Sequence, residues 1–199
     1  MKKRVIVASG NQGKIREIRE ILAPLDLEVV SMKEAGIEVD VDETGTSFEE
    51  NAILKARGIA MLTDDLVIAD DSGLEIDYLN KEPGIYSARY LGRDVSYDIK
   101  NQNLLDRLDG VPDEKRSARF VCAVAAILPN KKELVVRGVM EGRIGYEIRG
   151  EHGFGYDPIF YLPEYGMSSA EILPEEKNKI SHRGKALQQM FLLLKEEEL

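Results

Sequence analysis

The stretch whose residues are most clearly suited to chemistry is "VIVASGNQGKIREI", residues 5–18. Its pattern predicts a strand, a glycine-bracketed loop and a helix. In such an arrangement the free backbone N–H groups and the positive end of the helix converge on one point, which suits a phosphate group. The loop residues are Ser9, Gly10, Asn11, Gln12, Gly13 and Lys14. The common phosphate loop continues with Ser or Thr, whose hydroxyl helps to hold Mg²⁺, but here Ile15 follows. The loop therefore predicts phosphate binding with the metal held elsewhere; a plain strand-to-helix turn capped by Asn11 is the alternative.

Acidic residues could hold that metal. Asp40, Asp42 and Glu43 crowd one polar turn, and Asp70-Asp71 follow the apolar run "LVIA". Two adjacent carboxylates after a buried strand are costly without a partner cation, and Mg²⁺ prefers such hard oxygen ligands. The pattern predicts a Mg²⁺ site at Asp71, whereas Asp40 fits an ordinary acidic turn.

Two later segments, "GFGYDP" at 153–158 and "KNKISHRGK" at 177–185, could bind a nucleobase. A stacking aromatic ring, a carboxylate and an arginine can together read the edge of a base. Core packing of Phe154 and a solvated helix start for the basic run are the alternatives. His152 and His182 are the only histidines and neither belongs to a Cys/His cluster, which argues against zinc. The sequence contains no Gly-x-Ser-x-Gly elbow, which argues against a triad hydrolase.

Composition limits the class of protein further. The 199 residues suffice for one domain or two small lobes, and the net charge of −9 argues against binding a nucleic-acid backbone. The single cysteine, Cys122, excludes an intramolecular disulfide and fits a reducing compartment; its run "FVCAVAAIL" predicts a core position. The apolar stretch after "MKKR" is too short for a signal peptide, and no run is long enough to span a membrane. These features predict a cytoplasmic protein.

Periodicity and turn residues predict the elements that carry these groups. Strands are expected at 4–8 and 27–31, with a helix at 14–22 between them. A capping box of Thr46 and Glu49 opens a helix to about residue 61. The Asp-Asp-Ser-Gly turn signature divides 66–79 into two strands. The remaining expectations are a helix at 96–108, a hairpin of 119–128 and 133–141, a short strand after the 153–158 loop and a helix at 183–195. This order predicts an α/β protein with a partly antiparallel sheet.

Six motifs occur together and in order: "SGNQGKIREI", "SFEENAILKAR", "IADDSGLEID", "PGIYSARY", "GFGYDPIF" and "ISHRGKAL". They closely resemble the inosine triphosphate pyrophosphatase family, over nearly the whole chain. The resemblance implies an α/β fold in which an elongated mixed β-sheet is flanked by helices, in a single domain, 1–199, of two lobes with the active-site cleft between them. It also implies a Mg²⁺-dependent homodimer that cleanses the nucleotide pool by converting ITP, dITP or XTP to the monophosphate and pyrophosphate.

The resemblance assigns roles to residues by motif. Ser9 to Lys14 would bind the triphosphate, and Ser72 would contact the substrate. Asp71 would act as general base and metal contact. Asp42 matches the acidic metal position of the family's "[D/E]-E-T-G" turn, with Glu43 as the other candidate. The base and sugar pocket would be lined by Phe154, Gly155, Tyr156, Asp157, Lys177, His182 and Arg183.

The expected reaction is attack of water on the α-phosphorus with pyrophosphate as leaving group. Arg183 would donate to O6 of hypoxanthine or xanthine, and Asp157 or a backbone carbonyl would accept from N1–H. Adenine presents the reverse pattern and would be rejected, whereas rejection of guanine would depend on its 2-amino group. Two other functions stay open: a nucleotide-sensing module without turnover, and a phosphohydrolase that removes only the γ-phosphate.

Overall fold

The computed structural model describes residues 3–197, which form seven strands and five α-helices. The strands are β1 (Lys3–Val7), β2 (Leu27–Ser31), β3 (Leu66–Ile76), β4 (Ser117–Ile127), β5 (Glu133–Ile144), β6 (Phe160–Leu162) and β7 (Met167–Ser168). The helices are α1 (Gln12–Leu22), α2 (Phe48–Ala60), α3 (Tyr97–Arg107), α4 (Pro174–Ile180) and α5 (His182–Glu196). Short 3₁₀ turns lie between several of them.

The strands form one sheet in the order β2-β1-β3-β4-β5-β6-β7. Strand β1 pairs in parallel with β2 and β3, whereas β6 pairs antiparallel with β5 and β7. The prediction of a mixed sheet flanked by helices is therefore confirmed. Because β1 and β3 run in parallel, the loop that follows β1 and the later residues of β3 lie at the same end of the strand pair.

The chain divides into two compact units, each with its own apolar core. The first contains the residues up to Asp71, then Cys122–Gly138, then the segment from His182 onward; the second contains Ser72–Val121 and Val139–Ser181. In the first unit, α1 and α5 pack on strand residues, and α1 buries Ile15, Ile18 and Leu22. The helix predicted at 14–22 is therefore present, and these three residues form its buried face.

Cys122 is fully buried in the core of the first unit. Burial raises the pKa of its thiol to about 12, because the thiolate would be formed away from water and near Asp70. A thiol with so high a pKa is a poor nucleophile at neutral pH. The predicted core position of Cys122 is confirmed.

The predicted turn at Asp70-Asp71-Ser72-Gly73 is wrong, because β3 continues through these residues without a break. The turn signature rests on Asp and Ser side chains that bond their own backbone. Here both aspartate side chains instead contact groups on other elements, so the backbone stays extended and paired. The carboxylates therefore lie within a strand, where their positions are well defined.

The cap of α2 and the presence of α4 differ from the sequence prediction. Ser47, not Thr46, caps α2: its Oγ accepts a hydrogen bond from Glu50 N at 3.1 Å, and the Glu50 carboxylate accepts from Thr46 N at 2.6 Å. The capping box is therefore shifted by one residue. Helix α4 was not predicted, because its seven residues carry too few apolar positions to show a period; Pro174 starts it.

Gly138 in β5 allows α5 to approach the sheet closely. A Cβ atom on Gly138 would lie 2.1 Å from His182 O and 2.6 Å from Ala186 N. Both are backbone atoms at the start of α5, so the helix would have to move. We therefore expect Gly138→Ala to lower the free energy of unfolding by about 1–3 kcal/mol or more, the usual range for overpacking.

Chemical denaturation measures this change, and Gly145→Ala is the matched control. A Cβ on Gly145 would meet its nearest atom, Ile159 O, at 3.7 Å, which is ordinary contact. Equal stability of the two variants would contradict the close approach at Gly138.

Candidate active site

The loop after β1 caps α1 with its own side chains. Ser9 Oγ accepts from Asn11 N at 3.1 Å, and Asn11 Oδ1 accepts from Lys14 N at 3.2 Å. Gly10, Asn11 and Gln12 are exposed. The helix therefore begins at an open loop, as expected for a phosphate-binding segment at a helix N-terminus.

Asp70 is a buried carboxylate with only 1% exposure, and it lies beside that loop. Lys14 Nζ is 2.8 Å from Asp70 Oδ2, and Arg183 Nε is 3.5 Å from the same oxygen. Burial alone would raise the pKa of Asp70, but the two cations outweigh it and hold that pKa well below its usual range. Asp70 is therefore ionised, and the side chain of Lys14, which is 16% exposed, is held against it.

Arg183 lies in the first turn of α5 and is almost completely buried. It forms ion pairs with Glu17 of α1 and with Asp70 of β3. Burial would lower the pKa of its guanidinium, but these two carboxylates keep it raised. Its neighbour His182 is also buried. A base-reading Arg183 would have to share its donors with these two carboxylates.

Asp71 is buried, with 6% of its surface exposed, and the side-chain amide of Asn51 orients its carboxylate. Asn51 Nδ2 donates to Asp71 Oδ2 at 3.1 Å, while Asn51 Oδ1 accepts from Gly45 N at 2.8 Å. A Cβ on Gly45 would lie 2.7 Å from Asn51 Oδ1, so the glycine permits this contact. Asn51 thus ties the acidic turn to the Asp71 carboxylate.

Glu43, not Asp42, shares a cation with Asp71. Lys55 Nζ lies 2.8 Å from Glu43 Oε1 and 3.8 Å from Asp71 Oδ1. Asp42 is exposed. Of the two residues that the sequence offered as a second metal ligand, the geometry brings Glu43 to Asp71.

The charge state of this cluster follows from burial. Burial raises the pKa of Asp71 above its ordinary value, although Lys55 and Lys14 oppose the rise. Glu43 adds to it by repulsion. Burial lowers the pKa of Lys55, but the surrounding carboxylates reverse this and the net shift is upward. Asp71 is thus a carboxylate with increased basicity beside an ammonium that stays charged.

In the second unit, Asp157 organises the "GFGYDP" loop. Its Oδ2 accepts from Phe154 N at 2.9 Å and from Lys177 Nζ at 2.7 Å, and its Oδ1 accepts from Ser169 Oγ at 2.9 Å. These donors fill most of the acceptor capacity of a carboxylate. The observed role of Asp157 is to shape the loop, which leaves a backbone carbonyl as the better candidate for reading N1–H.

Helix α3 also contacts the "GFGYDP" loop. Asn101 Nδ2 donates to Gly155 O at 3.0 Å. The rings of Tyr97 and Tyr156 pack edge to face, with their centroids 5.2 Å apart. Tyr156 is buried and its hydroxyl donates to Ser87 O at 2.6 Å, so it packs in the core. Phe154 is half-buried, with Lys177 Nζ 5.3 Å from its ring centroid.

The structure thus groups the predicted residues in two sets. Loop residues 9–14, Asp71, His182 and Arg183 belong to the first unit; Ser72, residues 154–157 and Lys177 belong to the second. Sequence reasoning missed several contributing residues: Glu17, Asn51, Lys55, Tyr97, Asn101 and Ser169. Of these, Asn51 and Lys55 carried a detectable signal, because polar residues at i and i+4 lie on one face of a helix.

Two negative findings apply to residues 3–197. No three His, Cys, Asp or Glu side chains there converge as a ready-made metal cage. A divalent ion at the Asp71 cluster would therefore need water or substrate oxygens as well, which is the usual situation for Mg²⁺. In the same range, no helix has the length and apolar character needed to cross a bilayer.

Comparison with known proteins gives concordant matches. The model of the Ham1 family matches residues 5–192. The chain is 47% identical over 200 residues to the dITP/XTP pyrophosphatase of Vibrio vulnificus (strain YJ016), covering 99% of each protein. It is 46% identical over 192 residues to the dITP/XTP pyrophosphatase of Bacillus subtilis (strain 168), covering 96% of this chain and 97% of the relative.

Solved structures agree. The Staphylococcus aureus Ham1 protein superposes with a TM-score of 0.88 at 42% identity, covering 98% of this chain and 100% of that one. A HAM1 protein from Coxiella burnetii gives 0.88 at 43% identity, covering 98% and 99%. The motif order, the mixed sheet and these similarities lead to one conclusion: the chain belongs to the Ham1 family.

Proposed function

We propose that this protein hydrolyses the non-canonical purine nucleoside triphosphates ITP, dITP and XTP to the monophosphate and pyrophosphate, with Mg²⁺ as cofactor. The observation that carries the proposal is the open loop of residues 9–14 next to the buried pair Asp70 and Asp71. The names of the relatives from Vibrio vulnificus and Bacillus subtilis support the substrate class.

Asp71 and Glu43 are the residues that would hold Mg²⁺. Both offer hard oxygen donors and both lie against the single ammonium of Lys55, so one cation already contacts the two carboxylates. When bound, the ion would neutralise charge on the phosphate oxygens and on the departing pyrophosphate. The donor set therefore fits the metal.

The loop binds the triphosphate by backbone and side chain together. Backbone N–H groups of this loop other than those of Asn11 and Lys14, which donate within the loop, would donate to the phosphates, and Lys14 contributes a charge that Asp70 holds in place. No covalent intermediate is required, because positioning and electrostatics account for most of the rate enhancement in phosphoryl-group chemistry.

Asp71 orients the attacking water and accepts its proton. Burial raises its pKa, which makes it a stronger base than an ordinary aspartate, while the neighbouring ammonium of Lys55 favours its ionised form. Asn51 fixes the direction of the carboxylate. The bond formed joins the water oxygen to the α-phosphorus, and the bond broken is that to the bridging oxygen of pyrophosphate.

The base is selected by its Watson–Crick edge. Phe154 offers a ring for stacking on a loop that Asp157 and Lys177 hold in shape. A backbone carbonyl of this loop accepts from N1–H of hypoxanthine or xanthine, and adenine would leave that carbonyl unpaired. Mismatches of this kind discriminate by about 10⁴-fold.

A homodimer and a cytoplasmic location belong to the same proposal. Both are implied by the family resemblance, and the fully buried thiol of Cys122 agrees with a reducing compartment. Light scattering after gel filtration tests the dimer directly. A nucleic-acid partner is not proposed, because the net charge of −9 opposes binding to a polyanion.

A panel of nucleoside triphosphates with Mg²⁺ tests the function, with pyrophosphate, monophosphate and orthophosphate measured separately. We expect pyrophosphate from ITP, dITP and XTP and little from ATP. Release of orthophosphate would indicate a γ-phosphohydrolase, and tight binding without any product would indicate a nucleotide sensor. Either result would overturn the proposal.

Asp71→Asn should keep the shape of the site and remove the base and one metal charge. We expect kcat to fall by about 10²-fold or more with little loss of stability, because burial already disfavours the charged form of this residue. Asp64→Asn, at a fully exposed position, is the control. Near-normal turnover by the Asp71 variant at saturating Mg²⁺ would remove Asp71 from the mechanism.

Lys14→Ala should weaken both nucleotide binding and the fold. Because Asp70 is buried, loss of its nearer cation should cost about 3 kcal/mol, reduced somewhat by Arg183, which remains. The double variant Lys14→Ala with Asp70→Asn removes the uncompensated charge and should recover stability. Affinity for a non-hydrolysable ITP analogue should stay low in that double variant; recovery of affinity together with stability would show that Lys14 only balances Asp70.

Arg183→Ala distinguishes two roles. If Arg183 donates to O6, the ITP/ATP ratio of kcat/KM should fall by about 10- to 150-fold. If it only neutralises Asp70 and Glu17, the ratio should hold while stability falls by about 3–5 kcal/mol. We expect stability to fall in either case, because Arg183 forms ion pairs with Glu17 and Asp70. Lys185→Ala, at an exposed position of the same helix, should change neither quantity.

A further inference from the structure

Lys55 has no assigned part in the reaction, yet its ammonium contacts the carboxylates of both Glu43 and Asp71. It lies in α2 with a side chain 17% exposed. Its ammonium is 2.8 Å from Glu43 Oε1, a hydrogen-bonded ion pair, and 3.8 Å from Asp71 Oδ1, a longer ion pair. One ammonium thus contacts both carboxylates that would hold the metal.

These carboxylates need a cation even in the absence of metal. The side chains of Glu43 and Asp71 are 23% and 8% exposed, so each has lost much of its hydration. Two such charges close together repel one another, and a neighbouring cation relieves this repulsion. Lys14, the other lysine of the cluster, forms its close ion pair with Asp70.

We propose that Lys55 is a positioning residue that acts as a stand-in cation, holding Glu43 and Asp71 together until Mg²⁺ replaces it. The inference rests on the proposed function, because it takes these two carboxylates as the metal ligands. It adds a physical consequence: the ammonium competes with the metal for the same oxygens. Free Mg²⁺ therefore binds weakly, and the added negative charge of a triphosphate shifts the competition toward the metal.

The test is a titration with Mg²⁺ alone, without nucleotide, on protein stripped with EDTA. Binding is followed by calorimetry and by the rise in Tm. Lys55→Met removes the charge while keeping most of the volume. We expect this variant to melt below the wild type in EDTA and to bind Mg²⁺ about tenfold or more tightly, because the competing charge is gone.

Two further variants control for charge and for the helix. Lys55→Arg keeps a cation at this place and should bind Mg²⁺ as weakly as the wild type. Arg57→Met removes a cation two residues further along α2 whose ion pair with Glu133 lies at the surface, and it should leave Mg²⁺ affinity unchanged. Lys55→Gln supplies a second neutral variant if Lys55→Met does not fold.

Unchanged or weaker Mg²⁺ binding by the neutral variants would overturn the inference. Failure of this inference is distinguishable from failure of the proposed function. Tighter Mg²⁺ binding by Lys55→Met in a protein that does not convert ITP would leave the stand-in role intact. Conversion of ITP to IMP with no gain in Mg²⁺ affinity would refute the stand-in role alone.

Discussion

The arrangement of α1 and the loop of residues 9–14 before it depends on one buried charge, the Asp70 carboxylate. It is 1% exposed, so its ionised form requires partners at close range, and Lys14 of α1 and Arg183 of α5 supply them. Leaving such a charge unpaired would cost several kcal/mol. The ion pairs therefore fix two helices against β3, and with them the helix N-terminus to which the phosphates would bind. Glu17 extends the network by pairing with the far side of Arg183.

Asp71 is the next residue of the same strand, and its surroundings differ because successive side chains of a strand point to opposite faces. Asp70 contacts residues of α1 and α5, whereas Asp71 contacts Asn51 and Lys55 of α2. The first carboxylate is balanced by cations and its pKa is depressed; the second has a raised pKa. One dipeptide thus provides a carboxylate that neighbouring cations keep ionised and a second carboxylate of raised pKa, which is the proposed base; the strand backbone keeps the two apart.

Most elements could be predicted from the sequence, since α1, β2, α3 and the β4–β5 pair follow from apolar periodicity and turn residues. The break at Asp70-Asp71 was wrong because a local turn signature does not record the distant partners that keep β3 extended. The loop of residues 9–14 at the start of α1 was predictable, because its glycines and the capping Asn11 lie within the motif itself. The site was not predictable where side chains meet through tertiary packing, as for the pairing of Lys55 with Glu43 or the hydrogen bonds that Ser169 and Lys177 donate to Asp157.

The central claim is that Asp71 directs a water molecule to the α-phosphorus of a purine triphosphate. Hydrolysis of ITP in water enriched in ¹⁸O, followed by mass spectrometry of the products, tests it directly. Attack at the α-phosphorus predicts one ¹⁸O atom in the monophosphate and none in the pyrophosphate. Label in pyrophosphate, or in orthophosphate released from the γ-position, would place the attack elsewhere and contradict the role given to Asp71.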